Sequence, residues 1–139
     1  MPSDLFEESP QVEDWRRQLA LILFWSWNIV VFQGAILPGN RIPRFLFRFN
    51  DKLLHAVEYF ILFFAAFSAF RMARRAWLRC RPLFNSLLWC FWMGLLTEWV
   101  QAFVPDRHPS VADWVADFVG AVLGVIFYIV LRQRPYRVR

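Results

Sequence analysis

The sequence has only two cysteines, Cys80 and Cys90, and they do not form a CxxC pair. That spacing excludes the common zinc-ribbon and dithiol redox motifs. Cys80 lies in an Arg-rich stretch and Cys90 in an apolar run, so both are read as inert thiols. A bridge between them would need both on one oxidising side of a membrane. There is no Gly-rich phosphate loop, no nucleophile motif, no Cys/His dyad and no HExxH. Internal repeats and low-complexity segments are also missing. The first residues, MPSDLFEESPQVEDWRRQ, carry acids but no basic run ahead of the apolar stretch, and read as a cytoplasmic tail rather than a cleaved signal peptide. The formal net charge is +5, yet the basic residues form no single stripe; they cluster beside apolar runs. Nucleic acid is therefore not an expected partner.

Apolar and aromatic residues fill the space. The chain has 139 residues, 58% of them hydrophobic, with 16 Phe and 8 Trp. Four segments are long enough to cross a hydrocarbon layer of roughly 30 Å, which takes about 20 helical residues. They run from about Leu19 to Leu37, from Lys52 to Phe70, from Leu83 to Val104 and from Val111 to Leu131. Pro38-Gly39 closes the first and Pro105 the third. The expected fold is an all-α membrane protein with four transmembrane helices. Its expected organisation is a polar tail over 1–18, a membrane domain over 19–132 and a basic tail over 133–139.

Orientation follows from Arg and Lys in short flanking segments. One side collects Arg16, Arg17, Arg71, Arg74, Arg75, Arg79, Arg81, Arg132, Arg134, Arg137 and Arg139. The other has Arg41, Arg44, Arg48, Lys52 and Arg107. Both termini are predicted to be cytoplasmic, in a multi-pass protein of the bacterial plasma (inner) membrane.

The remaining ionisable groups map to one place. Asp51, His55 and Glu58 follow an i, i+4, i+7 stripe on the second span, with Tyr59 beside Glu58. Thr97, Glu98 and Gln101 end the third span. Asp106, Arg107 and His108 occupy the connection, and Asp113 and Asp117 open the fourth span. Ser110-x-x-Asp113 has the form of a capping box, and Gly120-x-x-x-Gly124 permits close helix approach. Three helices thus carry polar groups to the extracytoplasmic ends of spans two to four. A carboxylate facing lipid costs several kcal/mol, so these groups are expected to face one another or water.

Plainer roles compete with function. Asp51 opens a helix and suits a cap, Asp113 completes the capping box, and His55 suits a packed, hydrogen-bonded histidine. Arg107 suits a headgroup contact. Glu58, Glu98 and Asp117 have no capping role to explain them.

The chain resembles the VanZ-like family of small bacterial membrane proteins. The resemblance rests on Asp51-Lys52-x-x-His55-x-x-x-Tyr59, then Gly94-x-x-x-Glu98-x-x-Gln101-x-Phe103-x-Pro105-x-Arg107. It ends with Ser110-x-x-Asp113-x-x-x-Asp117-x-x-Gly120-x-x-x-Gly124. These residues span roughly the last two-thirds of the chain. The family usually has Asn where this chain has Asp117; an amide is neutral and donates, whereas a carboxylate is charged or holds a proton. The family is named for a protein linked to teicoplanin resistance, so the resemblance implies a cell-envelope role or glycopeptide tolerance.

Three functions fit these residues. In the first, an outer-leaflet site binds or processes an envelope lipid or lipoglycopeptide. Arg107, helped by Arg41 to Arg48, attracts the anionic group, and His55 with Glu98 is the candidate acid–base pair. Asp51, Tyr59, Gln101, Arg107, Asp113 and Asp117 are the candidate ligand-binding residues. In the second, the cluster is a structural network of a non-catalytic assembly protein, with a homo-oligomer as one form. In the third, Asp51, His55, Glu98, Asp113 and Asp117 hold a divalent ion in a metal-assisted hydrolase. Their spacing matches no known metal motif, so no cofactor is expected. A proton-coupled transporter is a weaker fit, because four helices without inverted repeats are few for alternating access.

Overall fold

Helix α1 covers Pro10–Ile36, α2 Asp51–Arg71, α3 Ala76–Cys80, α4 Pro82–Gln101 and α5 Val111–Arg132, and a 3-10 turn at Gly39–Arg41 follows α1. The structure, a computed structural model, describes residues 10–41 and 50–133. Arg44, Arg48, Arg134, Arg137 and Arg139, named above for orientation or anion attraction, lie outside the described residues.

Four helices, α1, α2, α4 and α5, are long and apolar enough to cross a membrane. The 21 residues of α2 reach about 32 Å at 1.5 Å per residue, which matches the hydrocarbon layer. Three of the four spans begin within a residue of the sequence expectation. The first does not: α1 starts at Pro10, nine residues before Leu19. Proline suits that first position because its missing N–H would have no intrahelical partner. The third span ends at Gln101 rather than Val104. Pro105 pushes the residue before it away from helical backbone angles, and Asp106 then takes a left-handed conformation (φ 59°) that turns the chain. The Arg-rich connection is not a plain loop either. It contains the short α3, whose last carbonyls at Trp77 and Leu78 accept from Asn85 Nδ2.

The surface is inverted relative to a water-soluble bundle. Ile22, Leu23, Trp25, Ile29 and Val30 of α1 are exposed, as are Leu53, Val57 and Ile61 of α2 and Trp92 and Trp99 of α4. Buried instead are Asn28, Ser86, Thr97, Glu98, Gln101, Asp113 and Asp117. Lipid solvates the first set as well as a core would, and the second set finds partners only inside.

Helix α2 is central and packs against α1, α4 and α5. Cross-helix contacts fix the directions. Trp27 Nε1 donates to Glu58 O, and Trp89 Nε1 donates to Asn28 Oδ1. Lys52 pairs with Asp113, and Tyr59 with Thr97. The helices therefore alternate in direction, and α2 and α5 run parallel. The closest approach is between these two. A Cβ on Gly120 would collide with the Ala56 backbone carbonyl, and one on Gly124 would meet the Phe63 ring. The glycine pair thus sets the α2–α5 separation. Around that seam, Phe63, Phe67, Leu62 and Ala121 form one core cluster, and Phe24, Ala66, Ala69 and Phe70 form a second.

Candidate functional site

Helices α2 and α5 start at one end of the bundle, and α4 finishes there. Because α2 and α5 are parallel, equal steps along each keep their side chains level. Lys52, His55 and Tyr59 fall at i, i+3 and i+7 on α2, and Asp113 and Asp117 at i and i+4 on α5. Both spacings give one face.

The result is three layers of polar pairs. At the rim, Lys52 Nζ lies 2.5 Å from Asp113 Oδ1; the lysine side chain is half exposed and the aspartate is buried. One turn deeper, His55 Nδ1 hydrogen-bonds Asp117 Oδ1 at 2.9 Å, and Asp117 is only 1% exposed. With a carboxylate as acceptor, Nδ1 carries the proton. Deeper again, the Tyr59 and Thr97 hydroxyls are 3.0 Å apart, and the Thr97 hydroxyl also donates to Gly94 O. That carbonyl acceptor leaves the Thr97 oxygen to accept from Tyr59.

Glu98 joins from α4. Its Oε2 accepts the Ser110 backbone N–H at 2.6 Å. This changes the expected start of α5. Ser110 is the N-cap residue, but its side chain makes no capping hydrogen bond. In a capping box the N3 carboxylate reaches back to the N-cap N–H. Here Glu98 of another helix serves that N–H, and Asp113 turns to Lys52 instead. The first turn of α5 is thereby tied to both α4 and α2.

Other expected roles also shift. His55 and Glu98 are neighbours, but the hydrogen-bond partner of His55 is Asp117. Arg107 holds the end of α1: Nε donates to Leu37 O at 3.3 Å, and one terminal nitrogen to Gly34 O at 2.7 Å. A cation there satisfies carbonyls that the helix leaves unbonded and complements the negative end of its dipole. The Asp51–His55–Glu58 stripe divides. Glu58 is on the α1 side, where a Cβ on Gly34 would come within 3.8 Å of Glu58 Oε1. Asp51 is exposed, and the cap of α2 is Asn50, whose side chain accepts from Lys52 N. Gln101 is buried in the last turn of α4. Cys80 and Cys90 are unpaired thiols, one exposed and one buried.

Two residues escaped the sequence reading of the site. Lys52 counts toward topology and belongs to the Asp51-Lys52-x-x-His55 motif, but is not among the candidate site residues; its place three residues before His55 was the available signal. Thr97 was noted only for its place in the third span, and nothing in its spacing marked it as the partner of Tyr59.

Two buried oxygens, Glu98 Oε1 and Asp117 Oδ2, have no hydrogen-bond partner among the described residues. His55, Glu98 and Asp117 offer ligand atoms all within 4.8 Å of one another, as do Asp51, His55 and Asp113. Chemically, the His55–Asp117 pair can orient an imidazole for proton transfer, and Lys52 and Arg107 put positive charge near the rim.

A four-span bundle with buried carboxylates, a histidine beside them and an ion pair at the rim defines a multi-pass integral membrane protein with an internal polar site. The chain belongs to the VanZ/LLP1 family, whose model matches residues 2–132. That match also takes in α1, beyond the two-thirds of the chain over which the motif residues lie. No curated protein and no solved structure matches the chain.

Proposed function

We propose that this VanZ-like protein resides in the bacterial plasma membrane with both termini cytoplasmic and its polar end outward. There it binds or processes an anionic envelope lipid or lipoglycopeptide. The observation that carries this reading is the layered site itself. Lys52–Asp113 at the rim leads to His55–Asp117, beside a Glu98 carboxylate with one oxygen unpartnered. A ligand phosphate or carboxylate would exchange with Asp113 on Lys52 and meet the N–H groups of Arg107 that α1 does not use. His55 then lies one turn below for acid–base work. The tie to teicoplanin tolerance comes from the family's name.

A purely structural reading draws on one observation: Lys52, Asp113, His55, Tyr59 and Thr97 all have partners within the bundle. Growth assays with His55→Ala separate the two. In a strain lacking the chromosomal copy, wild-type protein should raise teicoplanin tolerance. His55→Ala, present at equal membrane level, should not. Full tolerance from His55→Ala would sink the ligand reading, and a parallel loss of protein from the membrane would favour the structural one.

A further inference from the structure

We propose that His55, Glu98 and Asp117 form a binding site for one borderline divalent cation, of the class of Zn2+ or Mn2+. The site shares His55, Glu98 and Asp117 with the envelope-ligand reading, but its evidence is donor atoms and burial alone.

Glu98 is 8% exposed and Asp117 1% exposed. Each carboxylate spends one oxygen inside the protein, on Ser110 N–H and on His55 respectively. Each keeps a second, buried oxygen with no hydrogen-bond partner. A buried acceptor left unbonded costs roughly 1–3 kcal/mol, more when charged. Two carboxylates so close also repel each other across a medium that screens poorly. A doubly charged cation relieves both costs, since it satisfies the free oxygens and neutralises the pair.

The donor set selects the type of ion. The three ligand atoms lie within 4.8 Å of one another, so a small inward shift of the side chains would bring them to bonds of about 2.0–2.2 Å on one centre. One imidazole nitrogen with two carboxylate oxygens suits Zn2+ or Mn2+. Ca2+ asks for six to eight oxygens, and Mg2+ dehydrates reluctantly. The neighbouring group of Asp51, His55 and Asp113 is a poorer site: Asp51 is exposed and Lys52 already engages Asp113. Gly94 lets α4 come close to α5 here, because a Cβ there would sit 2.9 Å from Trp114 Cδ1 and 3.3 Å from Asp117 Oδ2.

The ion takes the free carboxylate oxygens and the Nε2 of a neutral imidazole, while Nδ1–H stays on Asp117 Oδ1; a proton held on Nε2 or on either carboxylate would leave as the ion enters. The test uses full-length protein in nanodiscs, stripped with chelator, then equilibrated with Zn2+, Mn2+ or Mg2+. Bound metal is counted by mass spectrometry and affinity read by calorimetry. Zn2+ or Mn2+ should bind at about one ion per chain and raise the thermal midpoint, as any ligand of the folded state does. Asp117→Asn keeps the size and a hydrogen bond to His55. It should weaken binding more than about tenfold, as should His55→Ala, by loss of a direct ligand. Asp51→Asn and His108→Ala, at exposed positions, should bind as wild type. Wild-type protein that takes up only traces of metal, with no rise in midpoint, overturns the assignment whatever the variants do. So does loss of the ion in Asp51→Asn with retention in Asp117→Asn.

Discussion

Glu98 sits where three helices meet, and its two oxygens live differently. One fixes the Ser110 N–H; the other is buried beside His55 and Asp117. Truncating Glu98 to alanine leaves the Ser110 N–H without its carboxylate acceptor. Glu98→Ala should therefore lower stability in detergent by roughly 1–3 kcal/mol, whereas Glu98→Gln, whose amide oxygen still accepts, should lose clearly less. Thermal unfolding followed by helical circular dichroism compares the two directly. The rim pair behaves otherwise. Lys52 is half exposed, so water and salt screen its attraction to Asp113. In double-mutant cycles, Lys52–Asp113 should show a smaller coupling than His55–Asp117 and should fade as salt rises. At this scale the sequence was partly legible. The spacings brought His55, Glu98, Asp113 and Asp117 to one end of the chain's map. They did not say who bonds to whom, because that depends on helix rotation. A turn of about 100° per residue decides whether Glu58 or Tyr59 shares the face of His55, and on α2 it is Tyr59.

Between elements, the α2–α5 seam depends on the absence of side chains. Gly120→Ala would drive a methyl into the Ala56 carbonyl, which is backbone and cannot swing aside. The helices must part, at about 1–3 kcal/mol for overpacking, and His55 and Asp117 part with them. Gly34 is the control. A Cβ there meets only Glu58 Oε1, at 3.8 Å, so Gly34→Ala should be neutral or stabilising by up to about 1 kcal/mol through helix propensity. Midpoints of the two variants in the same detergent check both. The four spans were readable because about 20 apolar residues admit few other interpretations. What was hidden sits at their ends. The early start of α1, the early stop of α4 and the short α3 are set by backbone geometry and by distant partners such as Asn85. The capping box failed for the same reason: a local pattern predicted a local bond, and a carboxylate from α4 took its place.

For the molecule as a whole, charge and solvent define orientation. Exposed Cys80 lies between α2 and α4, at the end of the bundle opposite His108. With both termini cytoplasmic, a membrane-impermeant maleimide should label Cys80 in inside-out vesicles and spare it in right-side-out ones. A His108→Cys, Cys80→Ser variant should give the reverse. Cys90, buried in the core, should stay unlabelled in both. The opposite labelling pattern would invert the proposed topology and put the polar site at the cytoplasmic face.

The pairing of α2 with α5 also has a temporal side. The partners of Lys52 and His55 reside on α5, which leaves the ribosome after α1, α2 and α4. Until residues 111–132 arrive, the polar stripe of α2 must wait in the bilayer or inside the insertion machinery without Asp113 and Asp117. Likewise, α5 enters carrying two carboxylates in its first two turns, each opposing insertion by at most the about 2.5–3.5 kcal/mol of a bilayer's centre. Delivery of α5 is thus an act of mutual neutralisation. Chains stalled before Val111 would leave Lys52 and His55 without these partners.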